Sequence, residues 1–106
     1  MFLARVEGSV VATKKDEGMS GQKMLLLRPQ LVDEDDPTRF RAGKNTIVAV
    51  DTVGAGIGEM VLFCQGSSAR LAAKLKSAPV DAVIIGIVDT VDVLGKKIFQ
   101  SGQSDN

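Results

Sequence analysis

The side chains with the most obvious capacity for chemistry are four carboxylates at the ends of apolar segments: Asp51, Asp81, Asp89 and Asp92. Two carboxylates in different surroundings can divide the roles of acid and base between them. Here they have little to work with. The 106 residues contain no His, Trp or Tyr and one Cys, so the commonest general base and metal ligand is missing. Aspartates at strand ends ordinarily accept turn hydrogen bonds, and these are read that way. Cys64 stands beside Leu62 and Phe63 and reads as a small buried hydrophobe rather than a nucleophile. No catalytic residue is assigned.

Two further patterns invite a ligand. The stretch Val53-Gly54-Ala55-Gly56-Ile57-Gly58-Glu59 is rich in glycine, as phosphate loops are. A dinucleotide fingerprint, however, runs G-x-G-x-x-G from a strand into a helix, so that phosphate meets the helix N-terminus. Here the glycines alternate, Glu59 would repel phosphate, and the next segment reads as a strand. The stretch is therefore a strand-to-strand loop whose glycines permit positive φ or close backbone approach. Identical loops of this kind could also crowd around a symmetry axis. The acidic run Asp33-Glu34-Asp35-Asp36 lacks the alternating oxygen ligands and distal Glu of a calcium loop. It reads as a solvated loop. No metal site and no cofactor are expected.

The elements that must position these residues are mostly strands. Residues 2–12 alternate, with Phe2, Ala4, Val6, Gly8, Val10 and Ala12 on one face, and Gly8 marks a bend or bulge. Residues 22–28 form a second strand that Pro29 is expected to end, since proline has no N–H to donate. Residues 31–44 are a long polar connection. Residues 45–51, 59–65 and 82–93 supply the third, fourth and fifth strands. Between the last two, Ser67 or Ser68 can cap a short helix carrying Leu71 and Leu75 on one face, with Pro79 beyond its end. The fold expected is mostly β: a small five-stranded, OB-like antiparallel barrel with one short helix between strands four and five. Residues 1–99 form a single domain, and residues 100–106 a polar, disordered tail.

Charge and apolar content narrow the function further. Thirteen Lys and Arg balance thirteen Asp and Glu, a formal net charge of zero. That disfavours a partner held by phosphate contacts and removes the self-repulsion that keeps copies apart. An OB-like nucleic-acid-binding module is the alternative function, and it needs aromatic platforms in a basic groove. With four Phe in all, Arg39-Phe40-Arg41 is the one basic–aromatic cluster, and the acidic run lies just upstream. No nucleic-acid partner is expected. The opening residues lack a basic region, and Arg5 and Glu7 break their apolar stretch, so they make a poor signal peptide. With no uncharged apolar window of about eighteen residues, neither a membrane span nor a membrane partner is expected, and the chain reads as cytosolic. Hydrophobic residues make up 44% of it, more than the inner face of a small barrel uses. Contact between identical copies is the economical cover.

Several motifs in order now resemble one family. The opening ARVEGSVVATKK, then VGAGIGE at residues 53–59, QGSSAR at residues 65–70 and PVDAVIIGIVD at residues 79–89 resemble the EutN/CcmL family of bacterial microcompartment vertex proteins. The likeness spans most of the chain and is weakest in residues 31–44 and the tail. It implies OB-like barrels that assemble as cyclic pentamers and cap the vertices of polyhedral shells otherwise built from hexamers and trimers. It further implies a place in the microcompartment shell, in the bacterial cytosol. Partners would be identical copies and the hexameric and trimeric shell proteins. By the same resemblance Gly54, Ala55, Gly56, Ile57, Gly58 and Glu59 form an assembly loop near the five-fold axis. Ser67, Ser68, Arg70 and Asp81 belong to a structural or interface motif, Arg70 and Asp81 as hydrogen-bonding or ion-pair candidates.

Overall fold

Every second residue along five segments points into one core. Ala4 and Val6, Leu25 and Leu27, Val61 and Phe63, and Ala82 and Ile84 are all at most 2% exposed, joined by Ala49 and by Ile47 packed against them. Such alternation is what a strand with one buried face produces. The computed structural model describes residues 1–12, 21–66 and 81–102. Its elements are β1 (Phe2–Val10), β2 (Met24–Val32), β3 (Phe40–Ala42), β4 (Ile47–Asp51), β5 (Met60–Gln65), β6 (Ala82–Ile87), β7 (Thr90–Val93) and β8 (Lys96–Gln100).

Five of these close on themselves. The hydrogen-bonded order is β1-β5-β6-β4-β2, and β2 pairs again with β1. Neighbours are antiparallel except β4 and β6, which run parallel through Val50 and Val83. This is the small OB-like barrel expected from the pattern of segments. Closure leaves none of the five with a bare edge, the usual route to unwanted strand addition. The bulge expected at Gly8 is present: Val6 faces Leu27 while Gly8 faces Leu26, so Glu7 is the extra residue. A bulge shifts the alternation by one. Val10 therefore pairs with Met24 rather than following Val6 onto the inner face, and it is half-buried.

Five expectations need correction. Pro29 does not end the second strand, because β2 continues to Val32. The missing N–H is harmless there. Pro29 lies where β2 leaves β4, whose last pair is Leu27 with Ile47, and takes up β3, whose first pair is Gln30 with Ala42. Its carbonyl still accepts from Gly43 N at 2.8 Å. The long connection is also not all loop, since β3 forms within it. Asp33 accepts from Asp35 N, while Asp36 accepts from the Thr38 hydroxyl and N–H. Those two Thr38 bonds hold the Asp36 carboxyl below the usual carboxylate range. They persist while it is ionised and loosen only as pH falls through that lowered value.

The third correction concerns the strand expected over residues 82–93, which is two strands. β5 begins at Met60, and Ile87 already pairs with Val61, so only Met60 remains for β6 to meet. Val88 N still reaches Met60 O at 2.8 Å, and the chain then leaves the barrel. Fourth, residues 90–100 form a separate antiparallel hairpin of β7 and β8, and Gln100, expected in the tail, is its last strand residue. Its two-residue turn, Leu94-Gly95, has φ of 51° and 79°, the geometry hairpins favour but one that a leucine rarely adopts. Cys64 is half-buried rather than buried. The expected helix lies outside the described residues, as do residues 103–106.

Asn tolerates positive φ far better than Leu, and Leu94 is 85% exposed with no packing to lose. Leu94→Asn should stabilise the hairpin by about 1 kcal/mol. Hydrogen exchange of the β7 and β8 amides measures this, and unchanged or faster exchange would contradict the account.

Candidate functional site

The loop between β4 and β5 leaves the sheet at Asp51 and must satisfy its backbone without a ladder. Asp51 does most of this. Its Oδ1 accepts from Val53 N at 3.1 Å and Gly54 N at 3.2 Å, and its Oδ2 from Ala55 N at 2.9 Å. The side chain is 1% exposed, and Lys23 Nζ stands 3.5 Å from Oδ2. The same ammonium donates to Ala55 O at 3.1 Å. Register explains the meeting. Met24 pairs with Val50, and Asp51 N donates to Lys23 O at 2.9 Å, so the two side chains are neighbours across β2 and β4.

The rest of the loop is fastened as tightly. The Thr52 hydroxyl donates to Ile84 O at 2.8 Å, tying the exit to β6. Gly56 N donates to Glu59 Oε1 at 2.6 Å. Gly58 N donates to Val6 O and Val6 N to Glu59 O, at 2.8 and 3.0 Å. Arg5 Nη1 donates to Gly58 O at 2.9 Å, and its guanidinium lies 5.5 Å from the Phe99 ring centroid. Ala55 is 1% exposed and joins the core cluster. Two residues on, Ile57 is 72% exposed. The loop thus places one small side chain inside the barrel and holds one large aliphatic side chain in solvent.

This arrangement disposes of the phosphate reading. A nest of successive N–H groups binds an anion, and here the anion is the chain's own Asp51. The loop also runs directly into β5, with no helix to receive a phosphate. Asp51 spends its acceptors on backbone donors, as strand-end aspartates do. Among the described residues, no group of three or more His, Cys, Asp or Glu could hold a metal ion.

The expected site residues fall into three groups. Gly54 to Glu59 are brought together as one ordered loop. Positive φ falls on Gly54 (78°) and Gly58 (91°) and not on Gly56, where an added Cβ would lie 3.3 Å from Glu59 Oε1. Asp81 accepts from Gly66 N through its backbone at 2.8 Å. Ser67, Ser68 and Arg70 lie outside the described residues. Sequence reasoning gave no role to Lys23, just before β2, or to Arg5, in β1, since neither contact with the loop can be read from local spacing. It named Asp51 only as one turn-forming aspartate of four. The signal for Asp51 was its place two residues before the first loop N–H that needs an acceptor.

Three of the four Phe side chains likewise find partners within the chain. Phe2 and Phe63 pack with ring centroids 5.5 Å apart, Phe63 is buried, and Phe99 lies beside Arg5. No support emerges for a stacking surface of the kind single-stranded nucleic acid needs.

Comparison with known proteins adds an independent line. The family described as "Ethanolamine utilisation protein EutN/carboxysome" matches residues 1–89. The carboxysome shell vertex protein CcmL of Gloeobacter violaceus is 46% identical over 102 residues, covering 93% of each chain. The solved structure of that CcmL superposes with a TM-score of 0.82 at 44% identity, over 97% of this chain and 100% of that one. The microcompartment shell vertex protein PduN of Salmonella typhimurium is 45% identical, over 86% of this chain and 98% of its own. The solved GrpN pentameric microcompartment shell protein of Rhodospirillum rubrum has a TM-score of 0.72 at 41% identity, over 89% of this chain and 99% of its own.

Gly58→Ala should cost about 1–2 kcal/mol, because its φ of 91° lies where L side chains are strained. Gly56→Ala should cost less, since only the end of the Glu59 side chain must give. Urea denaturation of the two variants checks the order. A larger loss at Gly56 would show that crowding there, and not backbone conformation, sets the requirement.

Proposed function

The chain belongs to the EutN/CcmL family, and from that premise we propose that it is a structural shell protein whose five copies form a ring capping a vertex of a bacterial microcompartment. The observation that carries this reading is the likeness, over most of both chains, to a solved protein named as a pentameric shell protein. The role needs no turnover. A layer tiled only by six-fold units stays flat or rolls into a tube, and five-fold units supply the curvature that closes it. Hexameric and trimeric shell proteins are the neighbours this implies, and the shell within the cytoplasm is the location.

The physical chemistry of the chain supports self-association. A cyclic ring joins one face of each subunit to a different face of the next. A stable interface of this type buries on the order of 800 Å² per partner, with an apolar centre. Val48, Val53, Ile57 and Ile87 are each at least 37% exposed and are available for such contact. Zero net charge lets copies approach without long-range repulsion. In this reading residues 54–59 form the assembly loop near the five-fold axis. Ser67, Ser68, Arg70 and Asp81 contribute to a structural or interface motif.

Native mass spectrometry at micromolar concentration should show five subunits, and a monomer alone would overturn the ring. Co-expression with cognate hexameric shell proteins should give closed shells, and omission of this chain should leave open or tubular ones. Fully sealed shells in its absence would overturn the vertex role.

A further inference from the structure

The loop at residues 53–58 combines two properties that rarely occur together without a purpose. Its backbone is held from three sides, and its largest side chain is left in water. Asp51, Glu59 and Val6 take up its N–H groups, while Lys23 and Arg5 bind its carbonyls. With five of its six N–H groups bonded within the chain, the side chains it turns outward are aliphatic: Ile57 at 72% exposure and Val53 at 39%. A flexible loop could fold Ile57 back on the barrel. This one cannot, because Ala55 is locked into the core two residues earlier and Gly58 N is bonded to β1 directly after.

Resting on the five-subunit reading above, we propose that Ile57 is an anchor contact between neighbouring copies, and that Asp51 and Lys23 are positioning residues that hold it in place for that contact. A second copy is the occupant the observations favour. The side chains that residues 53–58 hold in solvent are aliphatic, and copies of a chain with zero net charge do not repel. A pre-ordered side chain also loses little entropy on docking, which is how rigid anchors gain affinity. Asp51 touches no neighbour in this scheme. It acts through the loop, and most directly through Ala55 N, whose acceptor Oδ2 also faces the Lys23 ammonium.

The test is subunit exchange between isotope-labelled and unlabelled rings of the full chain, followed by native mass spectrometry. Ile57→Ser should speed exchange by about tenfold or more while leaving the far-ultraviolet circular dichroism unchanged, since interface changes act mainly on dissociation. Asp51→Asn should also speed exchange. Whichever way the amide turns, its NH₂ replaces one of the two acceptor oxygens.

The double variant decides between positioning and general support. If Asp51 acts through Ile57, the double variant exchanges no faster than Ile57→Ser alone. Multiplicative effects would show that Asp51 only stabilises the subunit, and would overturn the positioning role. Should Asp51→Asn fail to fold, Lys23→Met takes its place in the same cycle under the same criterion. A wild-type pentamer whose exchange is unaffected by Ile57→Ser would overturn the anchor while leaving the ring intact. A wild-type monomer would overturn both, and it is seen without any variant.

Discussion

Where β4 ends, three N–H groups in near succession turn toward one point and would otherwise converge on nothing. The Asp51 carboxylate fills that point from within the chain. Charge-assisted bonds to a buried carboxylate are among the stronger polar contacts a fold can make, about 1.5–3 kcal/mol each. The Lys23 ammonium beside it is 56% exposed, so solvent screens the ion pair and its share is small. The backbone bonds therefore carry the arrangement. They decide where Ala55 enters the core, where β5 begins, and hence which residue of β5 lies opposite β1. The loop and the barrel are consequently one structure rather than a scaffold with an appendage.

The closed ring of five strands explains why so small a chain can keep so regular a core. Closure satisfies the ladder hydrogen bonds of every barrel strand within the subunit. Inward positions are filled by aliphatic side chains with Phe63 as the one large ring. What closure does not provide is cover for the outside. Val50, Met60 and Val83 lie buried outside the main core cluster, whereas Val48 and Ile87 stay exposed. A subunit of this kind is stable enough to fold and apolar enough to associate, as a building unit must be.

Much of this was legible in the sequence because period-2 alternation is a strong signal. It located the first barrel strand, runs of apolar and β-branched residues located the other four, and the ordered motifs located the loop. The failures have separate physical causes. Pro29 reads as a breaker only if its N–H is needed, and a change of ladder partner at that residue cannot be seen locally. The strand over residues 82–93 looked continuous because its apolar pattern carries on past the point where β5 runs out. The hairpin was hidden because Leu94 is a poor residue for a turn with positive φ, so the usual Asn-Gly or Asp-Gly cue was missing. Lys23 was invisible because its role depends on register across two strands, a long-range fact that no local spacing encodes.

The ribbon formed by the end of β2 and by β3 has a different kind of importance. Its tip is closed by bonds from Asp33 N to Arg39 O and from Arg39 N to Asp36 O, and its turns are made by aspartate side chains that reach no barrel residue. Lengthening such a tip adds closure entropy slowly, about 0.6 kcal/mol for each doubling. Mutation can therefore rewrite residues 33–39 in length and charge while the inward alternation of the barrel stays under strict packing control. Across a lineage, this is the stretch free to diverge, so a shell could acquire new surface properties there without relearning how to fold.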